Sequence, residues 1–125
     1  MVVSFILAAM DDQAFVSSLE NCTLPAEQFN HAGHVRLACL YLAQHPLDEA
    51  IARTCATIRA YATHLGAADK FHATVTIALL RLLHAQGPAA LADARAVLAL
   101  HYSPALLASP PARAGFVAPD LAPLP

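Results

Sequence analysis

Apolar residues recur every three or four positions along most of this chain, and this pattern predicts helices. Five stretches carry it, at residues 12–20, 29–44, 47–65, 68–86 and 89–101. The second stretch is apolar nearly all the way round, because Arg36 is its only charged residue between Asn30 and Gln44. A helix of this composition is normally buried among other helices. We therefore expect the fold to be organised around residues 29–44.

Turn-forming residues separate the predicted helices, with Pro46, Gly66 and Gly87 each following one of them. No strand-like alternation of any length occurs between residues 11 and 102. The chain therefore predicts a single all-α domain over residues 1–125. Its architecture should be a compact antiparallel bundle of about five helices with short connections.

The C-terminal residues 109–125 carry many of the prolines and predict an extended tail on the surface of the bundle. Its expected apolar anchors are Phe116, Val117, Leu121 and Leu124. Either Arg36 or Arg113 could form an ion pair with Asp120 and hold the tail in place. In the functional alternative, an arginine holds an anionic substrate instead.

The first ten residues, MVVSFILAAM, form an apolar run that is too short to cross a bilayer, which needs about 20 apolar residues. The run also lacks the positively charged start of a signal peptide. Two interpretations stay open. Residues 1–9 are an extension packed on the core, or the native protein begins at Met10. Neither interpretation involves a membrane.

Composition limits the possible partners. The chain is 58% hydrophobic and only 13% charged, with a mean hydropathy of +0.51. This exceeds the usual apolar share of about half, so we expect a homo-oligomer or an apolar pocket for a small-molecule substrate. The formal net charge is −2 and the cations are dispersed. That distribution argues against nucleic acid, which binds to a basic face.

Three widely spaced cysteines indicate the compartment. Cys22, Cys39 and Cys55 form no CxxC pair, and their number is odd. With no secretion signal, this pattern is typical of reduced thiols in the cytoplasm. Cys39 lies in the apolar stretch 29–44, where a cysteine behaves as a small hydrophobe rather than a nucleophile.

Three histidines are the candidate chemical groups. His31 and His34 are three residues apart at the start of a predicted helix and share one face. The positive end of the helix dipole disfavours protonated imidazole, and the neutral form binds metals or acts as a base. His72 belongs to the inward face predicted for residues 68–86. Three imidazoles with an open position would hold zinc, iron, copper or nickel.

Further polar residues could complete such a metal site, namely Glu27, Tyr41, His101, Tyr102, Arg36 and Asp120. Glu27 could act as a fourth ligand or could hold a ring nitrogen. The remaining histidines, His45, His64 and His84, fall at helix ends or on outer faces, and we interpret them as solvated. Lys70 is expected on a different side of its helix from the inward face.

Three functional hypotheses follow. The first is a metalloprotein, with His31, His34 and His72 as ligands, that acts on a small organic substrate. The second is a non-catalytic helical module for oligomerisation or protein interaction, in which the histidines are structural. The third is a metal-free pocket in which they form hydrogen bonds to a ligand. Each histidine taken alone is more often an ordinary buried residue, so only their convergence in space favours the metal.

The motifs FNHAGHVRLA at residues 29–38, KFHATVT at residues 70–76 and PDLAPLP at residues 119–125 resemble a small, poorly characterised family of bacterial all-helical proteins. That family has FxHxxH and (Y/F)HxT motifs and a PDLxPLP tail. The resemblance covers most of the chain from Met10 onward and implies a site at His31, His34 and His72. A glutamate commonly follows the histidine of the second motif in the family. Ala73 stands there in this chain, which would remove a ligand or base.

Overall fold

The computed structural model describes residues 10–125, and this part of the chain is all-α, as predicted. Its seven helices are α1 (Asp12–Glu20), α2 (His31–Gln44), α3 (Leu47–His64), α4 (Ala73–Gln86), α5 (Ala94–Ala99), α6 (Pro104–Leu107) and α7 (Pro110–Ala114). Three short 3-10 turns, Ala26–Gln28, Ala68–Lys70 and Pro88–Leu91, precede α2, α4 and α5. The two interpretations of residues 1–9 lie outside the described residues.

Two of the predicted helices are interrupted. The stretch 68–86 breaks after the turn Ala68–Lys70, because His72 is extended and its ring accepts a hydrogen bond from the Val75 amide. The stretch 89–101 breaks at Asp93, whose carboxylate accepts from the Ala96 amide. A side chain that caps a helix start offers the backbone an alternative to continuing the previous turn. Both helices are therefore shorter than predicted, and the two additional helices, α6 and α7, lie beyond the five predicted stretches.

Helix α2 is central, as its composition predicted. Leu37 and Tyr41 on one side belong to a buried cluster with Phe15 of α1. Ala38 belongs to a second cluster with Leu82 of α4. Both sides of α2 are therefore buried, and the helix contacts α1, α3 and α4.

The tail is held by hydrogen bonds rather than by an arginine. The Asp120 carboxylate accepts from the Ser103 amide (2.8 Å) and the Ser103 hydroxyl (2.6 Å), and these bonds lower the pKa of Asp120. Arg36 instead forms an ion pair with Asp12 at 2.9 Å. Arg113 donates to the Asp69 carbonyl oxygen. The predicted ion pair of Asp120 with either arginine is therefore wrong.

The tail is also shorter than predicted, since α7 occupies residues 110–114 and only the residues after Gly115 are extended. Of the four expected anchors, Val117 and Leu124 pack against buried residues. Phe116 and Leu121 are exposed, so that prediction is half right. None of the helices in residues 10–125 has the length and apolar character that a bilayer crossing requires.

Candidate functional site

A pocket of about 410 Å³ opens between the starts of α2 and α4 and the middle of α3. His31, His34 and His72 all line it. The other walls are mainly apolar, with Val35, Ile58, Phe71, Val75, Leu79 and Leu83 among them. The structure thus brings the three predicted histidines to one pocket, and the chemistry depends on which ring nitrogens are free.

Local backbone geometry positions the histidines of α2. The Asn30 side chain accepts from the Gly33 amide at 3.0 Å and starts the helix. A Cβ at Gly33 would lie 3.0 Å from the Gln28 carbonyl oxygen and 3.3 Å from the Phe29 ring. Glycine therefore lets the preceding turn pack closely on α2. This brings the Phe29 ring against His34, with ring centroids 3.8 Å apart and planes at 15°.

One ring nitrogen of His34 forms a hydrogen bond within the protein, and the other is free. Its Nδ1 lies 2.8 Å from the Asn30 carbonyl oxygen. A carbonyl oxygen only accepts, so Nδ1 carries the proton and Nε2 carries a lone pair in the neutral ring. His34 is an exposed residue, yet desolvation of its ring lowers its pKa from the usual 6.5; the Asn30 hydrogen bond opposes this shift, and charge on His31 adds to it. The shift favours the neutral ring, whose Nε2 can accept a hydrogen bond or a proton.

His31 has the opposite arrangement of nitrogens. Its Nε2 lies 3.0 Å from the carbonyl oxygen of Leu91, in the turn that follows α4. The proton is therefore on Nε2, and the described residues supply no hydrogen-bond partner for Nδ1. Two residues of the pocket lining, one helical turn apart, thus each have one ring nitrogen without a hydrogen-bond partner among the described residues.

Both ring nitrogens of His72 form hydrogen bonds. Its Nε2 lies 2.7 Å from the Leu107 carbonyl oxygen, and its Nδ1 accepts from the Val75 amide at 3.2 Å. His72 therefore caps α4 and joins it to α6. Within residues 10–125, no three histidine, cysteine, aspartate or glutamate side chains are grouped to hold a metal. The three-histidine metal centre stays a prediction, and to join it through Nδ1 His72 would have to give up the hydrogen bond from the Val75 amide.

The other predicted residues lie elsewhere. Glu27 is exposed and outside the pocket lining. The Tyr41 hydroxyl bonds Glu20 and Thr57 beside a second cavity of about 460 Å³, and burial raises the pKa of Tyr41 to about 12. His101 and Tyr102 bond carbonyl oxygens of the tail. Arg36 and Asp120 have the structural partners given above.

Lys70 is a pocket residue that the sequence interpretation missed. The predicted helix over residues 68–86 put its side chain on another side from the inward face. Because the backbone breaks at His72, Lys70 ends a separate turn and lines the pocket. It is also the only lysine in the chain. The one available signal was its position just before the Phe71-His72 motif.

The chemistry of Cys39 and Cys55 disfavours a nucleophilic role. All three cysteines of the chain are free thiols. Burial raises the pKa of Cys39 and of Cys55, which disfavours the reactive thiolate. Neither residue lines the pocket.

Comparisons with protein-family models, with curated proteins and with solved structures find no match for this chain. The resemblance based on the FxHxxH, (Y/F)HxT and PDLxPLP motifs therefore stays a prediction.

Proposed function

We propose that the pocket binds a small organic molecule that has an apolar body and a hydrogen-bond donor, such as a hydroxyl, at its polar end. One observation carries the proposal: His31 and His34 line a pocket whose walls are mainly apolar, and each has one ring nitrogen, Nδ1 and Nε2 respectively, without a partner among the described residues. Ligand sites commonly combine apolar walls with a few polar groups that fix orientation. The pocket volume of about 410 Å³ falls within the usual range for such sites.

The apolar walls and the imidazole rings would have different roles. Burial of each ligand methylene contributes about 0.8 kcal/mol, so the apolar body supplies most of the affinity. The hydroxyl donates one hydrogen bond, to His34 Nε2, and this nitrogen selects the polar end because a ligand without a donor leaves it desolvated and unpaired. His34 has the additional capacity to accept a proton as a general base, since its lowered pKa favours the neutral form.

Val35→Phe is expected to weaken the binding of 1-octanol by about tenfold, because the larger side chain occupies volume at the pocket wall. Tenfold corresponds to about 1.4 kcal/mol, roughly the burial of two methylenes. Chemical-shift titration of ¹⁵N-labelled protein measures the affinity and identifies the residues contacted. The control is Leu40→Phe, on the same helix but beside the second cavity.

We expect 1-octanol to shift the amides of pocket residues in the wild type and in Leu40→Phe with similar affinity. Equal affinity for the wild type and Val35→Phe, or shifts confined to other surfaces, would contradict the proposal.

The second candidate function is metal binding, and the same two free nitrogens favour it. His31 Nδ1 and His34 Nε2 would hold zinc, iron, copper or nickel, and the remaining positions would be open to a small organic substrate. Elemental analysis of untagged protein, reconstituted with zinc chloride, is expected to give near-stoichiometric metal that is lost in His34→Gln. The control is His84→Gln, since His84 is exposed and outside the pocket. If the wild-type protein holds no zinc, this candidate is eliminated. If zinc is also lost in His72→Gln, the site would consist of all three histidines.

Two further expectations remain as proposals. The hydrophobic share of 58% supports a homo-oligomer or, as the alternative function, a helical interaction module with structural histidines. The free thiols of Cys22, Cys39 and Cys55 support a reducing cytoplasm.

A further inference from the structure

We infer that the ligand of this pocket also carries a negative charge, a carboxylate, which the ammonium group of Lys70 binds. The inference rests on the proposed function and adds the charge class of the ligand. Three observations carry it: the charges that line the pocket, the partners of Lys70, and the helix ends at the pocket.

The first observation is the absence of acidic groups from the pocket lining. Lys70 lines the pocket, and no aspartate or glutamate is among the described residues that line it. The chain as a whole has 9 acidic residues against 7 lysines and arginines. The second cavity, by comparison, has two acidic residues, Asp12 and Glu20, against one arginine, Arg53, in its wall. The pocket is therefore the more favourable of the two for an anion.

The second observation concerns the ammonium group itself. No carboxylate within residues 10–125 forms an ion pair with Lys70, whereas Arg36 and Arg53 both have such partners. The residue is exposed, so its charge remains hydrated and accessible. A carboxylate entering the pocket would need to displace no internal partner.

The third observation is that two long helices begin at the pocket. The N-caps of α2 and α4 are Asn30 and His72, and both line it. The N-terminal end of a helix carries a partial positive charge. Both helix ends therefore add to the potential of Lys70 and favour an anion at this side of the pocket.

Together these features define a ligand class: an apolar monocarboxylate that also carries a hydroxyl. The alkyl chain of the ligand would contact the apolar walls. Its hydroxyl would donate to His34, and its carboxylate would accept from Lys70. A suitable probe is 3-hydroxyoctanoate. Its methyl ester keeps the chain and the hydroxyl but has no charge.

The test compares these two probes at pH 7.5 and low salt by chemical-shift titration. We expect Lys70→Met to weaken binding of the acid about three- to fivefold, as for the loss of an exposed ion pair, and to leave the ester unchanged. Added sodium chloride should weaken binding of the acid and leave binding of the ester unchanged. Arg95→Met is the matched control, because Arg95 is exposed on α5 and outside the pocket lining. Lys70→Arg should retain the preference for the acid.

The outcomes separate this inference from the proposed function. If the ester binds in the pocket as tightly as the acid, or if Lys70→Met weakens both equally, the charge inference is wrong and the proposed function stands. If neither probe shifts the amides of the pocket residues, both fail. If Arg95→Met weakens the acid as much as Lys70→Met does, overall charge explains the preference and Lys70 has no specific role.

Discussion

Leu37→Ala is expected to lower the free energy of unfolding by about 2–5 kcal/mol, the usual cost of removing a fully buried leucine side chain. Leu37 is 0% exposed and belongs to the cluster that joins α2 to Phe15 and Leu19 of α1. A cavity at this position cannot be filled from solvent. Urea denaturation followed by circular dichroism measures the change.

The matched control is Leu100→Ala, the same substitution at a leucine that is 65% exposed. Its effect should stay within about 0.5 kcal/mol. If Leu37→Ala were no more damaging than Leu100→Ala, α2 would not be the central helix of the fold.

Thr74→Val is expected to cost about 2–4 kcal/mol although it preserves the shape of the side chain. The Thr74 hydroxyl donates to the Gly115 carbonyl oxygen at 2.7 Å and accepts from the Val117 amide at 3.1 Å. The residue is fully buried, so valine would leave two backbone groups of the tail without a partner. The measurement is again urea denaturation, together with hydrogen exchange at the Val117 amide.

Thr63→Val is the control, because the hydroxyl of the exposed Thr63 donates only to the Arg59 carbonyl oxygen of its own helix. It should change stability by less than about 0.5 kcal/mol and leave the tail protected. Unchanged exchange at Val117 in Thr74→Val would show that the tail is held by other contacts.

The helices and their centre could be predicted from sequence, because a 3.6-residue apolar period spans several turns and survives local irregularities. The breaks at His72 and Asp93 could not. The apolar period continues through both positions, and only the cap geometry shows that the chain turns there. The misplacement of Lys70 follows directly from the missed break at His72.

The candidate site was predictable only as a location. His31, His34 and His72 do line one pocket, but their partners come from distant parts of the chain. The carbonyl oxygen of Leu91 is 60 residues from His31, and that of Leu107 is 35 residues from His72. Every residue has a carbonyl group, so no sequence pattern marks these two. The hydrogen bonds of Asp120 could not be predicted either, because an ion pair with arginine and a bond to Ser103 are equally compatible with the sequence.

The most direct test of the central claim is ¹⁵N NMR of the histidine rings, with and without 1-octanol. We predict that at pH 7 Nε2 of His34 is not protonated, and that 1-octanol shifts its signal and leaves His72 unchanged. Because the pKa of His34 is lowered, the effect on Nε2 should be lost only as the pH falls through that lowered pKa. A proton on His34 Nε2 at pH 7, or ring signals that do not respond to 1-octanol, would contradict the account.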